Sequence, residues 1–107
     1  MHYEDTEPAR AEIEARRGPL LLEFGSPYCG HCRRAQPLLE QALAAHHEVP
    51  HIKVADGPGQ PLGRSFKVKL WPTLVFLRDG VEVARAVRPT APAEIDAGLQ
   101  RIADAGA

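Results

Sequence analysis

Two cysteines, Cys29 and Cys32, lie within the stretch SPYCGHCRRAQP, which runs from Ser26 to Pro37. Two thiols separated by Gly30 and His31 can hold a metal, staple a fold or exchange electrons. A structural zinc site takes four ligands. His46, His47 and His51 supply further ligands by residue type, but a helix between them and Cys29 would hold them about 25 Å away. They read instead as surface residues at a helix end, where cationic histidine suits the dipole. A structural disulfide at this spacing closes a very short loop, so chain entropy gives it little stabilisation. The third option is redox chemistry, and the position of Cys29 favours it. A thiolate between a buried strand and a helix meets unpaired N–H groups and the positive end of the helix. Lowering a thiol pKa from about 8.5 to near 7 requires roughly 2 kcal/mol. A helix terminus can supply half or more of that, and His31, especially if charged, the rest. Cys32 lies one turn further in, where burial keeps a thiol protonated. The expectation is that Cys29 attacks and Cys32 resolves.

The elements that must position these sulfurs can be read from the pattern. Thr6 can cap a helix with Pro8 in its first turn, continuing through PARAEIEARR until Gly18. PLLLEFGS is a short apolar run with one charge, Glu23, and reads as a buried strand. A helix follows from about Gly30 to His47, with Ala35, Leu38, Leu39, Ala42 and Leu43 on one stripe. Pro37 falls inside it and should kink it. VPHIKVA is a second strand, and DGPGQPLGR leads into a short helical turn ending near Phe66. TLVFLRDGVEVARAV is a hairpin around Asp79-Gly80, and APAEIDAGLQRIAD closes the chain as an amphipathic helix. The order α β α β α β β α predicts an α/β fold: parallel pairing with crossovers, an antiparallel edge, and helices on both faces of a small mixed sheet.

Composition narrows the function classes. A length of 107 residues suits one domain spanning 1–107, with one modest core. A formal net charge of −1 with scattered basic residues gives no reason to expect a nucleic-acid partner. No apolar run approaches the roughly 20 residues that span a bilayer, so no membrane role is expected. The polar start MHYEDTEPAR lacks the pattern of a secretory signal, which suggests a cytoplasmic protein with reduced thiols.

With these residues in view, the chain resembles the thioredoxin-fold family over about Gly18 to Ile102. The resemblance rests on YCGHC, on Glu23 six residues before Cys29, on Pro37 five residues after Cys32, on WPT (Trp71-Pro72-Thr73) about 40 residues after Cys32, and on the terminal hairpin. It implies a thioredoxin-like fold with a central mixed sheet of four to five strands. It implies a redox disulfide Cys29–Cys32, with Glu23 as a buried acid that accepts or returns the Cys32 proton. Lys53 matches a strand lysine that pairs with that acid. Pro72 would follow a cis peptide and set the Trp71 backbone N–H and C=O beside Cys29 to pair with an extended substrate. Trp71, Tyr28 and Pro27 would form the apolar rim, and Gly30 and Pro37 would support the site.

The chain also departs from the family. The Gly-His dipeptide resembles protein disulfide isomerase, and His31 would shift the couple toward oxidising behaviour. Arg88-Pro89 replaces a glycine that the family often uses near the substrate groove, and the short N-terminal part is expected to lack the family's first strand. The expected function is a monomeric dithiol/disulfide oxidoreductase of moderate potential. Its partners would be protein disulfide substrates and an electron donor, either a reductase or a small thiol; no cofactor and no metal are expected. The alternative is a thioredoxin-like binding or redox-sensing module that docks on one partner with little turnover.

Overall fold

The computed structural model describes residues 3, 4 and 6–103. The elements are α1 (Arg10–Ala15), β1 (Pro19–Gly25), α2 (Gly30–Ala44), β2 (His51–Ala55), α3 (Pro61–Ser65), β3 (Thr73–Arg78), β4 (Val81–Val87) and α4 (Pro92–Ile102). Their order is the one the pattern predicts. The sheet order is β2-β1-β3-β4. β1 pairs in parallel with β2 and antiparallel with β3, and β4 closes the hairpin. Among the described residues the sheet has four strands, and Tyr3 forms a parallel bridge with Lys53 at its edge. Among the described residues no helix is long and apolar enough to cross a membrane.

β1 is central because both its faces are apolar. Leu20, Leu22 and Phe24 pack with Ile13, Leu62 and Phe66 on one face. Leu21 packs on the other with Leu39, Ala42, Ile95 and Leu99. The side-chain period of two thus sends alternate residues of one strand to two cores. On α2 the predicted stripe holds, with Ala35, Leu39 and Ala42 buried and Leu38 and Leu43 packed at its border. The helix runs through Pro37, which removes the N–H that the Arg33 carbonyl would otherwise accept.

Element ends differ from expectation for local reasons. α1 starts at Arg10, not near Thr6, and the Ala9 N–H donates to Glu12 Oε1 at 3.3 Å. The preceding residues are held elsewhere, since Glu7 Oε1 accepts the Leu62 N–H at 2.9 Å. α2 ends at Ala44 and gives way to a turn in which the His46 N–H donates to Leu43 O. The last predicted residue of the closing helix, Asp104, lies outside the described residues. The hairpin turn has positive φ at both Asp79 (52°) and Gly80 (78°), as a two-residue turn of matching twist requires.

Gly98 of α4 packs directly on the Phe76 ring of β3, and an added methyl group would overlap Cδ2, Cε2 and Cζ. Glycine to alanine in a helix interior ordinarily gains about 1 kcal/mol. Overpacking costs about 1–3 kcal/mol. Gly98→Ala should therefore destabilise the fold despite its better helix propensity, read as a lower urea midpoint at unchanged slope.

Candidate active site

The site forms where β1 ends and α2 begins. Cys29 is the N-cap residue of α2, with extended backbone (φ −91°, ψ 120°). Its N–H donates to Ser26 O and its carbonyl accepts the Arg33 N–H. Both cysteines are free thiols, Cys29 half-exposed and Cys32 buried. Burial acts to raise the Cys29 thiol pKa. The backbone N–H of Cys32, the Cys32 thiol, the backbone N–H of His31 and the Arg88 charge outweigh it, so Cys29 lies below the ordinary thiol value. Cys32 moves the other way. Burial, above all, pushes it up to about 11, opposed by the Ser26 N–H and assisted by Cys29 and Glu23. Gly25 makes this burial feasible: a Cβ there would stand 2.6 Å from Cys32 Sγ.

Beneath the sulfurs Glu23 is fully buried. Gln36 Nε2 donates to Glu23 Oε2 at 3.0 Å and to the Cys32 carbonyl at 3.3 Å. His51 Nε2 shares a hydrogen bond of 3.0 Å with Glu23 Oε1, and its side chain is only 11 % exposed. This corrects two expectations. Lys53 is opposite Glu23 in register but sits over the Tyr3 ring, 4.5 Å from its centroid; His51 and Gln36 are the hydrogen-bond partners of the acid. His51 is not a surface residue beyond the helix. The chain doubles back, β2 runs parallel to β1, and His51 pairs with Leu21 and so reaches Glu23 on the same face. His46 likewise packs on Asp96 Oδ1 at 2.7 Å. The Tyr3 hydroxyl lies against Cys32, and burial together with the negative charge of Cys32 and Glu23 pushes its pKa above the ordinary phenol value.

Around the exposed sulfur, Pro27 and Tyr28 are exposed, Tyr28 to 89 %. Trp71 is half-buried, and its indole N–H donates to Asp56 Oδ2 at 2.9 Å. The Trp71–Pro72 peptide bond is cis. The Trp71 carbonyl already accepts Arg88 Nε at 2.8 Å, which leaves one of its two lone pairs. Arg88 has φ +49°, a left-handed conformation that glycine adopts most readily. His31 also needs correction as a cationic neighbour. The Arg88 charge, then burial, then the Arg34 charge lower its pKa below the ordinary histidine value. Arg34 Nη2 donates to His31 Nδ1 at 2.9 Å, which places the ring proton on Nε2. His31 therefore acts on Cys29 through its backbone N–H, and Arg88 supplies the positive charge.

Tyr3, Gln36, His51 and Asp56 are site residues that the sequence reading missed; Arg88 was placed near the groove, but its charge on Cys29 was not foreseen. For His51 a signal existed, since its place two residues before Lys53 puts both on one strand face. Arg88 and Tyr3 reach the site through tertiary contacts that no local pattern encodes.

The two thiols should titrate separately, Cys29 below the ordinary value of 9.0 and Cys32 near 11, read by ultraviolet thiolate absorbance. The raised Cys32 value means that the unfolded chain holds fewer protons between pH 9.0 and about 11, so the reduced protein loses stability as pH rises through that window. The depressed Cys29 value has the opposite sign: its contribution is present above pH 9.0 and is lost as pH falls through the folded value. Cys32→Ser should remove the alkaline loss from urea midpoints measured across pH. Arg88→Gly should raise the Cys29 value toward normal while changing stability little, because relief of a left-handed residue, about 1–2 kcal/mol, offsets a lost hydrogen bond of about 1 kcal/mol.

The thioredoxin family model matches residues 3–101. Thioredoxin 2 from Pseudomonas aeruginosa PAO1, solved in its reduced form, superposes with a TM-score of 0.86 at 52% identity, covering 95% of this chain and 94% of that one. Thioredoxin of Chlamydia pneumoniae is 36% identical over 74 residues, 65% of this chain and 69% of that protein. Protein disulfide-isomerase A2 of Pongo abelii is 46% identical over 65 residues. That alignment takes 57% of this chain and only 12% of the isomerase, so the chain spans about an eighth of that relative's length. Sheet order, the paired thiols at the start of α2 and the extent of these matches agree: the chain belongs to the thioredoxin family.

Proposed function

We propose that this chain is a dithiol/disulfide oxidoreductase that reduces protein disulfides. The observation that carries this reading is the opposite displacement of two neighbouring thiols, Cys29 below and Cys32 above the ordinary value. One sulfur is poised to attack near neutral pH, and the other stays protonated until it is needed.

The Cys29 thiolate attacks one sulfur of the substrate disulfide. That bond breaks, the departing sulfur takes a proton from solvent, and a mixed disulfide joins Cys29 to the substrate. Cys32 then gives its proton to Glu23 and attacks the Cys29 sulfur. The Cys29–Cys32 disulfide forms, and the second substrate sulfur leaves and is protonated. Two electrons have passed from the dithiol to the substrate, and a reductase or a small thiol returns them. Glu23 is the proton acceptor, positioned by Gln36 and His51. Pro27, Tyr28 and Trp71 form the apolar surface that receives an extended substrate segment, with the buried Pro72 fixing the Trp71 backbone behind it. Gly30 and Pro37 shape α2, and Lys53 supports the site by packing on Tyr3. The lowered Cys29 value stabilises the reduced form and points to a reductant of moderate potential, working in a reducing compartment such as the cytoplasm as a single monomeric domain.

Insulin reduction with dithiothreitol tests this. Cys29→Ser should fall to background. Cys32→Ser should attack once and accumulate mixed disulfides. Glu23→Gln should slow substrate release by about 10²-fold and spare the first attack. Failure of the native protein to turn over with any reductant would leave a docking or sensing module instead.

A further inference from the structure

Beside Cys29 a cavity of about 460 Å³ opens between the start of α2 and the loop after β4. It is lined by His31, Arg34, Leu38, Arg88, Pro89 and Thr90. Its apolar part is Leu38 and the buried Pro89; its polar part is two guanidinium groups. Each guanidinium is held by one hydrogen bond, Arg34 Nη2 to His31 Nδ1 and Arg88 Nε to the Trp71 carbonyl. An arginine has five N–H donors, so most of the donors on both groups remain available.

The charge here is uncompensated. Among the described residues, the ion pairs join Arg10 to Glu14, His46 to Glu48 and Asp96, His51 to Glu23, and Arg85 to Glu82; none involves Arg34 or Arg88. Glu94, four residues after Thr90, accepts the N–H groups of Thr90 and Ala91 on Oε2 and, among the described residues, forms no ion pair with Arg34 or Arg88. The positive patch is local, since the chain as a whole carries a formal charge of −1.

We infer that this cavity receives an acidic side chain of the substrate, so that the protein prefers disulfides with Asp or Glu within about two residues of the attacked cysteine. The inference rests on the oxidoreductase reading and adds a substrate class to it. The geometry suits this ligand. A guanidinium fork matches a carboxylate in plane and spacing. Residues of an extended segment lie about 3.3 Å apart, so a chain bound at Cys29 places its near neighbours over the cavity. Leu38 and Pro89 meet the methylene stem of a Glu or Asp while the charge faces the arginines.

The test uses three matched peptide disulfides carrying Glu, Gln or Lys at the two positions flanking one cysteine. The prereduced full chain is mixed with each, quenched with acid, and the second-order rate is read from released thiol. The order expected is Glu, then Gln, then Lys, with about three- to tenfold between Glu and Lys at low ionic strength, as two exposed ion pairs provide. The ratio should shrink in about 1 M salt, where the screening length falls to about 3 Å. It should fall toward one in Arg34→Gln combined with Arg88→Gln and persist in Arg33→Gln, whose side chain does not line the cavity. The ratio between peptides, rather than the absolute rate, is the readout, so any effect of Arg88 on Cys29 cancels. Equal rates for Glu and Lys peptides, or a ratio that survives the double substitution, overturn the inference. Normal reaction of the Gln peptide in that case leaves the oxidoreductase reading standing. No reaction with any peptide sinks both.

Discussion

The difference between the two sulfurs originates in a single turn of helix that starts in water and ends in the core. Cys29 caps α2 and is half-exposed; Cys32, three residues on, is 2 % exposed. Exposure leaves the first thiolate open to N–H groups and a guanidinium, while burial opposes the second thiolate. The turn keeps this geometry because β1 ends in Gly25, whose missing side chain lets Cys32 approach the sheet. A bulkier residue there would lift α2 from the strand and expose the second sulfur. The local chemistry of a thiol pair thus depends on how closely one helix can approach one strand.

Burying Glu23 beneath this junction is costly, since even a paired ion gives up several kcal/mol of hydration. Two elements offset that cost: Gln36 reaches from α2 and His51 from β2 to the acid on β1. The same Gln36 amide group donates to the Cys32 carbonyl. The polar network therefore ties the turn that carries the thiols to the two strands below it, and the Glu23 carboxylate is close enough to Cys32 to act on its charge. A leucine at position 23 would pack acceptably in an apolar strand but would leave Gln36 and His51 without their shared partner.

The fold was legible in the sequence wherever a local pattern decides. The short apolar run in PLLLEFG, the stripe on α2 and the Asp-Gly turn each specify an element by rules that operate within a few residues. The sulfurs, Glu23 and Pro72 were legible because the resemblance places them at fixed spacings. What escaped was long-range. The expectation that His51 lies far from the thiols measured distance along α2 and ignored the return of the chain in β2. The reading of His31 as a donor that could also be charged considered only Cys29, whereas Arg88, brought in by the hairpin, lowers its pKa. The choice of His51 over Lys53 as partner of Glu23 turned on Tyr3, whose ring takes the lysine.

Arg88 shows how one residue at a loop position can set the character of a site. Its left-handed backbone costs about 1–2 kcal/mol relative to glycine. Its N–H donates to the Pro72 carbonyl and its side chain to the Trp71 carbonyl, so the strain is met by two hydrogen bonds to the segment facing Cys29. The guanidinium then acts in three ways: it lowers the Cys29 thiol, lowers His31 and occupies one lone pair of the Trp71 carbonyl. The charge that favours the Cys29 thiolate also disfavours protonation of His31. The positive charge beside Cys29 comes from the loop after β4, and it stays there at every physiological pH because an arginine does not titrate.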